Sequence, residues 1–560
     1  VKRLFLSDTV EASLSSYNMY DAKSQLPLFL SHLPNRKHTD NIIASAIQRF
    51  CRKMPVPEVN RIADFEAYAK ALIMKEFKPL ENNEVKTTED WLDSSSYSGR
   101  LKKHFADLLT GYVAHSEDLV KNKSFIKSEG YEKPKFPRSI NSYTDLSKAL
   151  LGPLMSSIDN KVFAMPWFVK GRSAIDRPRM MYELFGHQPV MSTDFTSFEA
   201  HHQGVFAELG VFWIMHMCRN VGTPHFRRCL ARMLRGDNVC DFGGVVVTIL
   251  QRLMSGAMWT SSLNSVLNFL LMSYLKCRTR DPVSPPEVLA RDMQKHFIGL
   301  IEGDDGICLG HECDEKIIAG LGIVLKPEKF ENFGTASFCG VVCDIVELKI
   351  VSDPRKFLRN FFVMPQSYTY ASDKTHHAML RARALSAKYM LNDCPIIGPV
   401  CHKVCELTKS YDPRKCSTEL DPWKRDLLEL GMDSWKKEPN VSIQSRLLVE
   451  KLFGIDVQSQ IHIEKTFGSS DGRCYLNVPH LQTLEEMLFI RDFVAPHPIV
   501  TRAPEYLDPR VLKYRTEGRW VKEPRVAKKA RKEYAVAIAR ELIPRDSSAL
   551  RLAVRFSGAT

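Results

Sequence analysis

Two apolar runs flank Gly303-Asp304-Asp305-Gly306 within residues 297–309. This pattern predicts a β-hairpin with both carboxylates at its tip, and a glycine on each side permits the positive φ that tight hairpin turns demand. Residues 190–194 predict a short buried strand ending in Asp194, and 195–201 continue it into a turn and helix start. From Thr260 to Cys277 the apolar spacing is helical, with Leu263, Leu267, Leu270, Leu271 and Tyr274 on one side. Thr260 and Asn264 are four apart and share a different face, behind a Ser255-Gly256 loop. After the hairpin, 314–321 predict a helix closing at Gly322. A short strand follows over 323–325 with Lys326 next to it, and a second hairpin begins over 336–343.

The flanking pattern is less informative. Residues up to about 90 are mixed and helix-like. A Ser-rich turn before Gly99 runs into a basic helix start with Arg100, Lys102 and Lys103. Over 121–140 cations alternate with apolar residues while Pro134 and Pro137 stiffen the chain, so an extended segment would carry Lys133 and Lys135 on one face. Residues 205–250 combine helical segments with a strand pair around Gly243-Gly244. From about 355 to 500 the pattern is mostly helical, and 502–560 is basic, including Lys528, Lys529, Arg531 and Lys532. No internal repeat is present.

Composition narrows the class. The chain has 560 residues, 44% hydrophobic and 10% aromatic, enough for a large core and too apolar for disorder. Its net charge of +13 suits a polyanionic partner, nucleic acid before an anionic membrane. The 14 cysteines are scattered and several fall in apolar runs, as in a reducing compartment. Cys394, Cys401, Cys405 and Cys416 with His402 are a weak zinc candidate, because their spacing matches no recognised ligand pair. No run approaches a membrane span, and no Gly-x4-Gly-Lys-Ser/Thr marks a phosphate loop. The first residue is Val1, as expected of a processed product or a fragment.

The candidate chemistry centres on carboxylates. Adjacent aspartates repel each other, so a turn that aims them at one spot favours a divalent cation. Asp194 at a strand's C-terminal end sits where open sheets place chemistry, or caps the helix after it. Thr260 and Asn264 suit reading of a sugar hydroxyl, or capping of a core helix.

In order and content these segments resemble the polymerase of positive-strand RNA viruses, and among these the tombusvirus-like and flavivirus-like lineage. The carrying motifs are Ser255-Gly256-x3-Thr260-x3-Asn264 followed by Gly303-Asp304-Asp305. They are joined by Tyr97-x-Gly99, Phe125-Ile126-Lys127-Ser128-Glu129, Pro137-Arg138-Ser139-Ile140, Val169-Lys170-Gly171, Gly322-Ile323-Val324-Leu325-Lys326 and Phe338-Cys339-Gly340. The likeness covers about residues 90–345.

The resemblance implies an α+β right-hand fold. Its parts would be an N-terminal extension (1–90), fingers (91–189), a palm of antiparallel sheet flanked by helices (190–350, with a fingers insertion at about 205–250), a mostly helical thumb (351–500) and a basic tail (501–560). It implies RNA-templated RNA synthesis from NTPs. Asp194 and Asp304 would hold two Mg²⁺, for which Mn²⁺ can substitute, with Asp305 alongside. Lys127, Lys133, Lys135 and Arg138 would meet the triphosphate. Ser255, Gly256, Thr260 and Asn264 would sense the ribose and position the template. Lys326 would protonate pyrophosphate, Phe338, Cys339 and Gly340 would support the primer strand, and Arg100, Lys102 and Lys103 would bind RNA. In one departure, Glu199 stands where the family usually has a second Asp that recognises the 2′-hydroxyl. Partners would be template and product RNA, NTPs, other viral replication proteins and host membranes, in a replication complex of the host cytoplasm. A reverse transcriptase, or an inactive palm retained as an RNA-binding protein, is the competing reading. The Ser-Gly-x3-Thr-x3-Asn pattern and the intact Asp194, Asp304, Asp305 and Lys326 argue against these.

Overall fold

The structure, a computed structural model, describes residues 54–468 apart from 110–119, 128–136, 196, 236–237, 244, 250–251, 362, 366–370 and 421. It also describes 16–18, 41–42, 45 and 554–556. The elements that frame the site are, in chain order, α1 (Val59–Glu76), β1 (Lys121–Ile126), β2 (Ser139–Tyr143), α2 (Asp145–Phe163), α3 (Arg177–Phe185), β3 (Val190–Phe195), β4 (Asn238–Asp241), β5 (Val245–Ile249), α4 (Thr260–Arg280), β6 (Gly299–Glu302), β7 (Asp305–Leu309), α5 (Glu315–Gly320) and β8 (Leu325–Phe330).

Four strands form an antiparallel sheet in the order β6-β7-β3-β8. The strand with Asp194 therefore lies between the hairpin and the strand with Lys326, although more than 100 residues separate it from either. At the free edge of β6, the Ile301 N–H donates to the Trp167 carbonyl and the Val169 N–H to the Ile301 carbonyl, which joins the 167–169 segment to the sheet. A second sheet, β5-β4-β1-β2, pairs β1 with β4 in parallel and is otherwise antiparallel, with Val554–Phe556 at its β5 edge.

Helix α4 crosses behind the first sheet. It is buried nearly all round, from Ser262 to Arg278, not on one side as its leucine spacing predicts. The reason is its neighbours: α1 binds its outer face through Asp64, whose carboxylate accepts from Arg278 at 2.8 Å and from the Tyr274 hydroxyl at 2.6 Å. The buried charge of Arg278 is thus paired across helices, as burial of charge requires.

Beyond β8 comes a small three-stranded sheet of β9 (Ser337–Phe338), β10 (Val341–Cys343) and β11 (Ile350–Val351). The described part after residue 354 is mostly helical. It includes helices Asp373–Leu391, Ile397–Leu407 and Ile443–Phe453 around a separate apolar core. The mixed α and antiparallel β architecture agrees with a polymerase. Two expectations shift. The last strand of the site sheet begins at Leu325, so Lys326 lies within it, and the helix before it spans Glu315–Gly320.

Candidate active site

The hairpin turn is tighter than its sequence suggests. Glu302 pairs with Asp305, leaving a two-residue loop of Gly303 and Asp304. Gly303 takes φ +64 and Asp304 is not among the positive-φ residues. This is the φ signature of a II′ turn, which needs glycine first. Gly306, expected to share that role, has an ordinary φ. It is needed for space instead: a Cβ there would lie 2.2 Å from Met272 Sδ and 3.0 Å from Thr193 Oγ1.

Registers align the charged residues. Asp194 stands opposite Lys326. Thr193 stands opposite Gly306, so one further step sets Asp194 opposite Asp305, which in turn pairs with Glu302. Directly opposed residues share a face of an antiparallel sheet. Glu302, Asp305, Asp194 and Lys326 therefore form one row across four strands, with Asp304 at the turn beside it. The aspartate side chains are exposed.

Each end of this row carries a cation. Arg177, at the start of α3, places Nη2 2.6 Å from Glu302 Oε2. Lys326 places Nζ 2.9 Å from Glu328 Oε1, and that bond, with Asp194 adding, lifts its pKa above the ordinary value. Between them negative charge accumulates. Crowding by protein, then the charges of Asp304, Glu302 and Asp194, push Asp305 up to about 6, against a smaller opposing effect of Arg177. Asp305 is crowded on its flanks yet open to solvent, where an ion can reach it. A patch that raises its own carboxylate's pKa gains from a cation. Hard oxygens on neighbouring strands are the donor type Mg²⁺ and Mn²⁺ take, so the residue set fits such ions. As placed, no three His, Cys, Asp or Glu side chains among the described residues are close enough together to hold one. The same finding gives the zinc expectation no support: Cys394, Cys401, Cys405 and Cys416 are buried, with thiol pKa values pushed upward by burial at the first three.

The remaining expected residues fall in three groups around this row. In the Ser255-Gly256 loop, Gly256 takes φ +113, and the Asn141 N–H of β2 donates to the Ser255 carbonyl at 2.5 Å. Thr260 Oγ1 donates to the Met254 carbonyl at 2.7 Å and accepts from the Gly256 N–H at 3.3 Å. Its donor is spent on closing the loop, unlike the free sugar reader expected. Asn264, one turn on, has a buried Oδ1 with no hydrogen-bond partner. Glu199 is buried in the 3₁₀ turn Phe198–His201, which follows Ser197 at φ +55.

Lys127 and Arg138 face each other where β1 and β2 diverge, the Lys127 N–H donating to the Arg138 carbonyl at 2.7 Å. Lys133 and Lys135 lie outside the described residues. Arg100 and Lys103 are exposed on helix Gly99–Leu109, whereas Lys102 Nζ turns back to the Asp93 carbonyl at 3.1 Å.

Phe338 and Val341 pair around a two-residue turn in which Cys339 and Gly340 have φ +55 and +76. A left-handed cysteine is uncommon. Its Sγ lies 3.4 Å from Glu302 Oε2 as donor, so this turn touches the end of the carboxylate row. Burial, then Glu302, holds the thiol far above its ordinary pKa.

Five residues escaped the sequence reading. Arg177 and Glu302 are two of them. His201 is another: it accepts the Val324 N–H at Nε2, 2.9 Å, just before β8. Ser265 Oγ accepts the Gly303 N–H at 2.8 Å, and Asn268 Nδ2 donates to the Gly303 and Asp304 carbonyls at 3.2 and 3.0 Å. The available signal for the last two was polar residues interrupting an apolar helix, at one and four positions past Asn264.

A family model described as viral RNA-dependent RNA polymerase matches residues 142–315, from within β2 to the start of α5. That span holds Asp194, Glu199, the Ser255–Asn264 series, Asp304 and Asp305. No curated protein matches the chain.

Proposed function

We propose that this chain, an RNA-directed RNA polymerase and hence a nucleotidyltransferase, extends RNA at the carboxylate row, with Asp194 and Asp304 as metal ligands and Asp305 beside them. The observation that carries this is the alignment of Glu302, Asp305, Asp194 and Lys326 across four strands, with Asp304 at the adjoining turn. Divalent cations, Mg²⁺ or Mn²⁺, when bound there supply the charge neutralisation that phosphoryl transfer needs. The chain's own residues bind and orient. Lys127 and Arg138 meet the triphosphate, a role that Lys133 and Lys135 share by their place in the motif. Asn264 offers its unpaired acceptor to the ribose, Glu199 takes the place of the family's second aspartate in contacting the sugar, and Thr260 holds the Ser255-Gly256 loop. Lys326, kept protonated by Glu328 and Asp194, delivers a proton to the leaving pyrophosphate. The Phe338-Cys339-Gly340 turn supports the growing strand, and Arg100, Lys102 and Lys103 bind RNA.

On this reading the β6-β7-β3-β8 sheet and α4 form the palm, the β5-β4-β1-β2 sheet belongs to the fingers, and the helices after residue 354 form the thumb. The lineage closest in motif content is tombusvirus-like or flavivirus-like, working with other viral proteins on host membranes. The test is template-directed incorporation of labelled NTP by the purified chain, with and without Mg²⁺, beside Asp304→Asn. The variant is expected to lose synthesis and keep RNA binding. Wild-type rates in Asp304→Asn would overturn the metal assignment, and a preference for dNTPs would favour a reverse transcriptase.

A further inference from the structure

Thr260, Asn264 and Asn268 are spaced at i, i+4 and i+8 on α4 and form one polar stripe along an otherwise buried helix. Each has a different task. Thr260 closes the Ser255-Gly256 loop. Asn264 leaves a buried acceptor without a partner. Asn268 holds the Gly303-Asp304 turn through two hydrogen bonds. Ser265, beside the stripe, holds the same turn through the Gly303 N–H and donates in its turn to the Ser261 carbonyl at 2.8 Å.

The commitment of Asn268 is one-sided. Both atoms it meets are carbonyl oxygens, so its nitrogen must face them. Its Oδ1 is then buried with no partner. A buried amide that serves only to fill a core is ordinarily satisfied at both ends. Here one end is left at a cost while the other fixes two successive carbonyls of the turn that carries Asp304.

We propose that Ser265 and Asn268 are positioning residues. They clamp the Gly303-Asp304 turn to the helix face that carries Asn264, so the placement of Asp304 is set by the element that meets the incoming nucleotide. This rests on the reading of Asp304 as a metal ligand. Outer groups that orient a ligand typically change metal affinity or activity by 10–100-fold when removed. The clamp acts on the metal site and leaves triphosphate contacts alone, so the nucleotide KM at saturating metal stays near its wild-type value.

The experiment uses the full chain as Ser265→Ala, Asn268→Ala, Ser265→Thr and Asp304→Asn. Amide hydrogen exchange of the 299–309 hairpin, without metal, reads the clamp directly. Mn²⁺ affinity by electron paramagnetic resonance reads its consequence. Ser265→Ala and Asn268→Ala are expected to speed exchange at the turn and weaken Mn²⁺ binding on the order of ten-fold, with the thermal midpoint close to wild type. Ser265→Thr keeps the hydroxyl and is expected to restore both. Wild-type exchange and Mn²⁺ affinity in the two alanine variants would overturn the proposal. A thermal midpoint that falls in step with Mn²⁺ affinity, with no rescue by threonine, would reduce the two residues to structural ones and also overturn it. Unchanged Mn²⁺ affinity in Asp304→Asn would instead remove the metal reading, and exchange would still judge the clamp.

Discussion

At Gly256 the backbone sits at φ +113, and a Cβ would lie 2.8 Å from Ile140 Cγ2 and 3.2 Å from the Asn141 carbonyl oxygen. Both conformation and space therefore require glycine. Ala in such a conformation is strained by roughly 1–3 kcal/mol, and the contact with β2 adds to it. Hydrogen bonds with Asn141, Met254 and Thr260 hold the loop, and a displaced residue 256 would break the one its own N–H donates to Thr260. Gly256→Ala is expected to lower the synthesis rate sharply while RNA binding in a filter assay persists. Undiminished synthesis would mean the loop takes another shape in the working enzyme. The same residue-scale logic explains what was legible beforehand. Gly256 and Gly303 were readable as turn glycines because their neighbours are polar and the runs around them apolar. Gly306 was assigned the wrong reason, since only the fold shows Met272 pressing on it.

At the scale of elements, α2 meets α4 through Asp159, whose Oδ1 is buried with no hydrogen-bond partner. Burial pushes this carboxyl up to about 6, and Lys170 and the hydroxyl of Ser262 on α4 only partly oppose that. An unfolded aspartate titrates near 3.9, so the fold holds this proton more tightly than the unfolded chain does. The contribution to stability is fully present below about pH 4 and is lost as pH rises through about 6. Asp159→Asn removes that loss. Its thermal midpoint is expected to exceed wild type at pH 7.5, by an amount corresponding to roughly 1–3 kcal/mol, and to converge with it toward pH 4. A constant offset at every pH would show that Asp159 does not titrate in this range. Elements also mark the limit of the sequence reading. The hairpin, the Asp194 strand and α4 each carry a local period, so each was foreseeable. Their order in the sheet was not, because the placing of β3 between β7 and β8 depends on contacts between residues more than 100 apart. The charged row, and with it Glu302 and Arg177, exists only once that order is known. The full burial of α4 was likewise hidden, since α1 supplies its second covered face through Asp64.

For the whole molecule the governing quantity is the net charge of +13. A chain with this excess is drawn to a polyanion over long distances, and salt screens the attraction. Lys528, Lys529, Arg531 and Lys532 concentrate four of these charges in five residues of the C-terminal region, outside the described residues. If each neutralises one phosphate of single-stranded RNA, the four together account for about 0.7 × 4, or roughly 3, of the slope of log affinity against log salt. Replacing all four by Gln is expected to reduce that slope by up to this amount and to weaken binding most at low salt. Synthesis on a saturating template should change little, because the carboxylate row lies elsewhere in the sequence. RNA affinity measured across a series of salt concentrations decides between partners. A flatter slope assigns the segment to RNA. An unchanged slope with intact synthesis would assign its charge to a protein or to an anionic membrane surface, which vesicles with and without acidic lipid would then separate.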